Sequence, residues 1–286
     1  MKIIDSWTTV SKKTGKTHYY NKVEAFNGKI FVIEKPENGG LALIEKDILT
    51  VEEIFSKGIE NLTSADRMML LNIYNVAYHT DGKIEDIFSF DSSATNCEFC
   101  AKMREYAAKH PELGIVCGEC YDYKQEKYRY GTLNRHTLNL VIMETVSFSV
   151  EELKFLSVFG LGRVNSSGDS SGNIYAENMI KLCFAHPLVD FAIWSKNTKT
   201  YIRACDIYGK PKNCIMIQSS PFINKVVKLA KYFDYTFTVF SDAEKIKEAL
   251  ANGACECNGK KCKACGFKCY KGLWPIGSDI AEFLRK

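Results

Sequence analysis

From residue 163 onward, short apolar runs alternate with longer stretches whose apolar positions recur at helical spacing. Runs at 163–166, 189–194, 213–218 and 235–240 read as strands, and 174–185, 198–207, 221–232 and 242–251 as the helices after them. Repeats of this kind predict parallel strands joined by right-handed crossovers. Helix-start signals agree: Asn197 as a cap, Ser220-Pro221 as a cap plus first-turn proline, and Ser241-x-x-Glu244 as a capping box. The expected fold class is α/β, with parallel βα repeats forming a partial or full βα barrel. An open doubly wound sheet is the alternative.

Upstream the rhythm is weaker. Residues 28–34 read as a strand, Asn38-Gly39-Gly40 as a turn and 41–44 as the partner strand. Residues 51–57 read as a short helix, and Thr63-Ser64 caps another that runs to about residue 78. The apolar segment 84–90 predicts the first strand of the main domain, and 134–159 is helical in two pieces broken near 145–149. Three parts are expected: an N-terminal α+β extension (1–80), a βα-repeat domain (81–253) and a cysteine-rich C-terminal segment (254–286).

At 286 residues the chain can bury one large core or two modest ones. A net charge of +4 does not by itself single out nucleic acid as a partner. The first sixteen residues lack the apolar core of a secretory signal, and no apolar run is long enough to span a bilayer. The expectation is a cytoplasmic protein with no membrane partner.

Cysteine changes this picture most. Nine of the twelve cysteines fall into two groups, Cys97-x2-Cys100 with Cys117-x2-Cys120, and Cys255-x-Cys257-x4-Cys262-x2-Cys265-x3-Cys269. In a reducing compartment such spacing favours metal over disulfides. Thiolates so placed converge on a soft centre, iron–sulfur or zinc. The Cys262, Cys265, Cys269 run matches part of a ferredoxin spacing, with Cys257 as fourth ligand. The expected metal ligands are therefore Cys97, Cys100, Cys117, Cys120, Cys257, Cys262, Cys265 and Cys269, holding one or two 4Fe-4S clusters, with zinc as the alternative. Lys260, Lys261 and Lys263 belong to a cationic rim that offsets thiolate charge and offers a contact to nucleic acid. Cys183, Cys205 and Cys214 stand singly in apolar contexts and read as core.

In parallel βα folds the chemistry collects at the carboxyl ends of the strands. Those ends read Asn165-Ser166-Ser167-Gly168-Asp169, Ser195-Lys196-Asn197, Gln218-Ser219-Ser220 and Ser241-Asp242. Ser220 and Ser241 read as helix caps. Asp169 and Lys196 read either as a structural ion pair or as ligand-binding groups. Arg163 begins its strand, which places it at the opposite end. No nucleophile elbow, phosphate-binding glycine loop or HExxH is present, which argues against a hydrolase.

Several segments occur in a telling order: Phe88-Ser89-Phe90 before Cys97, Cys117-Gly-Glu-Cys120-Tyr121, Tyr128-x-Tyr130, Asn139-Leu140, Arg163-Val-Asn-Ser-Ser-Gly-Asp169, Trp194-Ser-Lys196 and Cys262-x2-Cys265-x3-Cys269-Tyr270. Over residues 84–275 the chain resembles the gene-product-88-like family of phage and bacterial proteins. The layout is similar to that of radical S-adenosylmethionine proteins. The resemblance implies a catalytic cluster at Cys97–Cys120 and a cofactor site for S-adenosylmethionine at Ser167, Gly168, Asp169 and Gln218. It also implies Asp169 and Lys196 as catalytic groups and an auxiliary cluster at the C-terminal cysteines. The substrate stays unknown, and the location is the host cytoplasm if the protein is phage-encoded. The usual CxxxCxxC spacing is absent, so three of the four upstream cysteines would have to bind while the fourth stays spare. The competing expectation is a non-enzymatic zinc protein that binds nucleic acid or a protein partner through Lys260, Lys261 and Lys263.

Overall fold

The computed structural model describes residues 1–257 and 261–284. In chain order the first elements are β1 (Lys2–Val10), β2 (Thr17–Ala25), β3 (Lys29–Glu34), α1 (Leu43–Ser56), α2 (Ser64–Ile73), β4 (Ala77–Tyr78) and β5 (Ile87–Phe90). Then come α3 (Glu98–Lys109), α4 (Tyr121–Glu126), α5 (Tyr130–Thr145), α6 (Val150–Leu153), β6 (Leu161–Val164) and α7 (Asn173–Ala185). The chain continues through β7 (Asp190–Ser195), α8 (Thr198–Tyr208), β8 (Cys214–Ser219), β9 (Tyr235–Phe240), α9 (Ala243–Ala251), β10 (Cys255–Cys257) and β11 (Asp279–Phe283).

Eight strands form one sheet in the order β4-β5-β6-β7-β8-β9-β11-β10. Every neighbouring pair is parallel except β4 with β5. The fold is therefore mixed α/β around a mostly parallel sheet, as the βα rhythm predicts. Residues alternate between its faces. Phe88, Phe90, Val164, Phe191, Ile193 and Met216 pack with α5, α7 and α8 in one core. On the other face, Ile87, Ala192, Ile217, Tyr235 and Ile280 pack under the C-terminal cysteine segment through Cys262 and Tyr270. Among the described residues no helix is long and apolar enough to cross a membrane.

Three expected elements differ. Residues 221–232 form no helix. Their backbone instead bonds elsewhere: Pro221 O accepts from Val116 N, Ile223 N donates to Gly114 O and Asn224 N donates to Val239 O, at 2.9, 2.7 and 2.8 Å. Ser220 accordingly caps nothing; its hydroxyl accepts from Phe222 N and donates to Lys225 O. Residues 41–44 are not a strand but lead into α1, whose Ile48, Val51 and Ile54 share a buried face. The partner of β3 is β2, closed by a turn with Phe26, Asn27 and Gly28 at positive φ. Third, α2 stops at Ile73, because both backbone groups of Asn75 are taken by the Asn139 side chain. A further cap also moves: α9 starts on Asp242, whose carboxylate accepts from Glu244 N, while Ser241 Oγ accepts from Asn224.

The N-terminal strands make an antiparallel sheet, β1-β2-β3, whose Val23, Phe31 and Ile33 join the same core as β5 and α5. The outer edge of β3 would leave backbone groups unpaired. Two asparagines act as a surrogate strand. Asn96 pairs with the N–H and C=O of Ile30 at 3.0 Å each, and Asn134 with those of Val32 at 3.0 and 2.7 Å. Asn134→Ala strands two buried backbone groups, so a loss of about 2–4 kcal/mol is expected in chemical denaturation. A loss under about 1 kcal/mol would show the clamp to be idle.

Candidate metal centres and the groove between them

The first cysteine group gathers at the carboxyl ends of β5 to β7. Cys97 precedes α3 and its Sγ accepts from Cys100 N at 3.4 Å, making it the helix cap. Cys117 lies in a 3-10 turn (Val116–Glu119), and Cys120 directly precedes α4. Cys100, Cys117 and Cys120 line a small cavity of ≈ 50 Å³ with Gly168, Asp169 and Lys196. Cys97 is fully buried and turned toward Asp169 O at 3.5 Å. Burial pushes the Cys117 and Cys120 thiols up, and Lys196 beside them opposes that shift. Burial works against the Lys196 charge, but Cys117 and Asp169 outweigh it and hold the ammonium charged.

The loop before Cys97 is held from two sides. Glu126, on α4 and almost fully buried, accepts from Ser93 Oγ, Ala94 N, Thr95 N and His136 Nδ1 at 2.8–3.2 Å. Arg104 donates to the carbonyls of Ala94 and Thr95 and stacks over Tyr123 at 4.1 Å.

The second group lies on the sheet face opposite the helices. Cys257, Cys262, Cys265 and Cys269 line a cavity of ≈ 50 Å³ with Lys83, Arg163, Trp194 and Tyr270. Cys255 shares β10 with Cys257. Burial raises Cys262 and pushes Cys269 up to about 12. Arg163 does not sit at the far end of its strand, as its position in the run predicts. Its guanidinium stacks over Trp194 at 4.3 Å and reaches this cavity, with Nε buried and unpartnered. The rim lysines are tied down: Lys261 pairs with Glu85 and Lys263 with Asp86. Lys260 lies outside the described residues.

A groove of ≈ 540 Å³ has lining residues in common with both cavities. It shares Asp122 with the first cavity and Lys83 and Arg163 with the second, and its walls include His79, Asp91, His136 and Ser167. Asp91 is buried and accepts from Ser89 Oγ, Ser166 Oγ and Ser167 N. Burial, followed by Asp91 and Glu126, pushes Asp122 up to about 6.

Of the expected cofactor residues, Gly168 and Asp169 reach the first cavity, Ser167 faces the groove, and Gln218 reaches neither; its Oε1 accepts from Ala230 N at 2.7 Å. Asp169 is engaged on both oxygens, by Ser195 Oγ, Ser170 N and Lys196 N at 2.6–2.7 Å. It fastens the end of β6 to the end of β7. Cys183, Cys205 and Cys214 are buried, as expected, yet they are neighbours, with each thiol raised by burial where a shift occurs. Asp91, Glu126 and Arg104 were not foreseen. Asp91 follows β5 directly, and that position is the signal that singles it out.

Among the described residues no set of three or more His, Cys, Asp or Glu side chains converges as a ready metal site. No family model and no curated protein matches this chain. A solved mandelate racemase/muconate lactonizing protein from Herpetosiphon aurantiacus is similar at 11% identity and a TM-score of 0.25, over 100% of this chain and 80% of that one.

Proposed function

We propose that the protein is a redox protein with two iron–sulfur centres, acting on a small molecule held in the groove between them. One observation carries the reading: each cysteine group folds around a sheltered cation, Lys196 beside Asp169 in one case and Arg163, with a buried unpartnered Nε, in the other. A desolvated cation needs a compensating anion. Cysteine thiols are neutral, but thiolates on a cluster carry net negative charge, so loading a metal would add a compensating anion beside Arg163 and reinforce Asp169 beside Lys196. In the first centre Cys100, Cys117 and Cys120 face the cavity, and Cys97 stays with its helix. In the second, Cys257, Cys262, Cys265 and Cys269 supply the donors.

The consecutive order of β5 to β9 favours a sheet curled as a partial βα barrel, with the second centre on its inner face. The residues that would hold S-adenosylmethionine fit that group poorly. Asp169 has its oxygens engaged, and Gln218 is elsewhere. The nucleic-acid alternative loses support from Lys261 and Lys263, which already face Glu85 and Asp86.

Protein purified without oxygen is expected to be brown, with iron and inorganic sulfide in matching amounts. A colourless protein with stoichiometric zinc would overturn the reading.

A further inference from the structure

The groove contains a hydrogen-bond chain whose direction is fixed by its last member. Asp91 is an acceptor only, because its other oxygen takes Ser166 Oγ and Ser167 N. Ser89 Oγ donates to Asp91 Oδ2 at 2.7 Å. That hydroxyl has one proton, so toward His79 Nε2, at 2.8 Å, Ser89 is the acceptor. Nε2 therefore carries a proton, and in the neutral ring Nδ1 keeps its lone pair.

The arrangement is rigid. Ser89 is almost fully buried within β5. His79 is pinned by its own backbone, N to Ile87 O at 3.1 Å and O from Asp86 N at 2.8 Å. Burial holds His79 below the usual histidine range, so the ring is neutral near pH 7. Asp91 and Asp81 favour its protonated form and Arg163 opposes it.

Two donors in the same groove lack partners. Ser167, only 6% exposed, has an unpartnered hydroxyl, and Arg163 has an unpartnered Nε. Buried donors of this kind call for an acceptor from outside the chain.

We propose that His79 is the proton acceptor of the groove, serving a small molecule that presents a carboxylate, phosphate or carbonyl oxygen to Arg163 and Ser167. One bond to hydrogen in the substrate breaks heterolytically: the proton goes to His79 Nδ1, and the electron pair stays on the substrate, whose added negative charge lies beside Arg163. The imidazolium so formed is stabilised through Ser89 by Asp91, and the proton returns to water when product leaves. This rests on the groove being the substrate site, as proposed above.

Site-resolved hydrogen–deuterium exchange at the histidine C2 position reads the His79 titration. Diethyl pyrocarbonate labelling with peptide mapping reads its reactivity. His79 is expected to titrate below free histidine, and Asp91→Asn to lower it further, since the supporting anion is gone. Ser89→Ala, the milder change, is expected to shrink that Asp91 effect in the double variant. Acetate or inorganic phosphate, used as probes, should slow labelling of His79 several-fold, and Ser167→Ala should weaken that protection. An unreactive His79, a titration indifferent to Asp91, or labelling that neither probe slows would overturn the proposal. Iron and sulfide in the same samples separate the two readings. Iron-replete protein with an inert His79 sinks only the relay, and iron-free protein with a responsive His79 sinks only the clusters.

Discussion

Protein carrying Cys262→Ala and Cys265→Ala is expected to keep about half its iron and sulfide. The physical basis is separation. The second cavity is lined by Trp194, Phe237 and Ile280 on the sheet face opposite α5, α7 and α8, whereas the first lies at the strand ends beside α3 and α4. Among the described residues none lines both cavities, while the groove shares residues with each. Each centre also has its own cation, so emptying one leaves the charge balance of the other intact. Metal and sulfide analysis, with electron paramagnetic resonance of the reduced protein, measures the outcome. Complete loss of iron would mean a single shared centre, and no loss would remove Cys262 and Cys265 from the ligand set.

Gly168→Ala is expected to do more damage than any other single methyl addition at the first site. Gly168 has φ +74°, where an L side chain is strained. An added Cβ would meet Ser92 Oγ at 2.2 Å and Ser92 O at 2.5 Å. Ser92 cannot retreat, because its N–H bonds to Ser167 O and its hydroxyl to Asp169 O. The strand ends of β5 and β6 must therefore part. A loss of more than about 3 kcal/mol in denaturant melts is expected. Iron should fall by the share of the first centre, leaving the signal of the second. Gly131→Ala, with open space around its would-be Cβ, is the control and should leave both readouts unchanged. A Gly168→Ala protein of normal stability would show that the loop carrying Ser92 is free to shift.

The parallel half of the fold was legible because its strands are buried on both faces and its helices carry local signals. Helices 174–185 and 198–207 appear within a residue or so of expectation, as α7 and α8. The segment 221–232 has helix-like spacing for another reason. Phe222 packs with Ile115 and Cys117, and Leu229 and Ala230 with the main core, while the backbone bonds to remote partners. The β1–β2 hairpin was illegible because Ile3, Ile4 and Val10 stay exposed, so no inward face is marked.

The site divides the same way. Cysteine spacing announces both groups, since ligand geometry is mostly local. The polar supports are not local: Asp91 meets Ser166 across 75 positions and Glu126 meets Ser93 across 33. A carboxylate such as Glu126, whose partners in the loop before Cys97 lie that far away, looks in sequence like any surface acid. Arg163 is misplaced by the sequence because β6 starts two residues earlier, at Leu161, so Arg163 lies near the carboxyl end of the strand.

The asparagine clamp has a thermodynamic corollary. Asn96 is bonded to Ile30 and adjoins Cys97, so fraying of the N-terminal sheet and loosening of the first cysteine group are one equilibrium. Linkage runs both ways: whatever binds at that group deepens the protection of the Ile30 and Val32 amides. A stretch of chain with no chemistry of its own thereby reports, through its exchange rate, on the occupancy of a site it never touches.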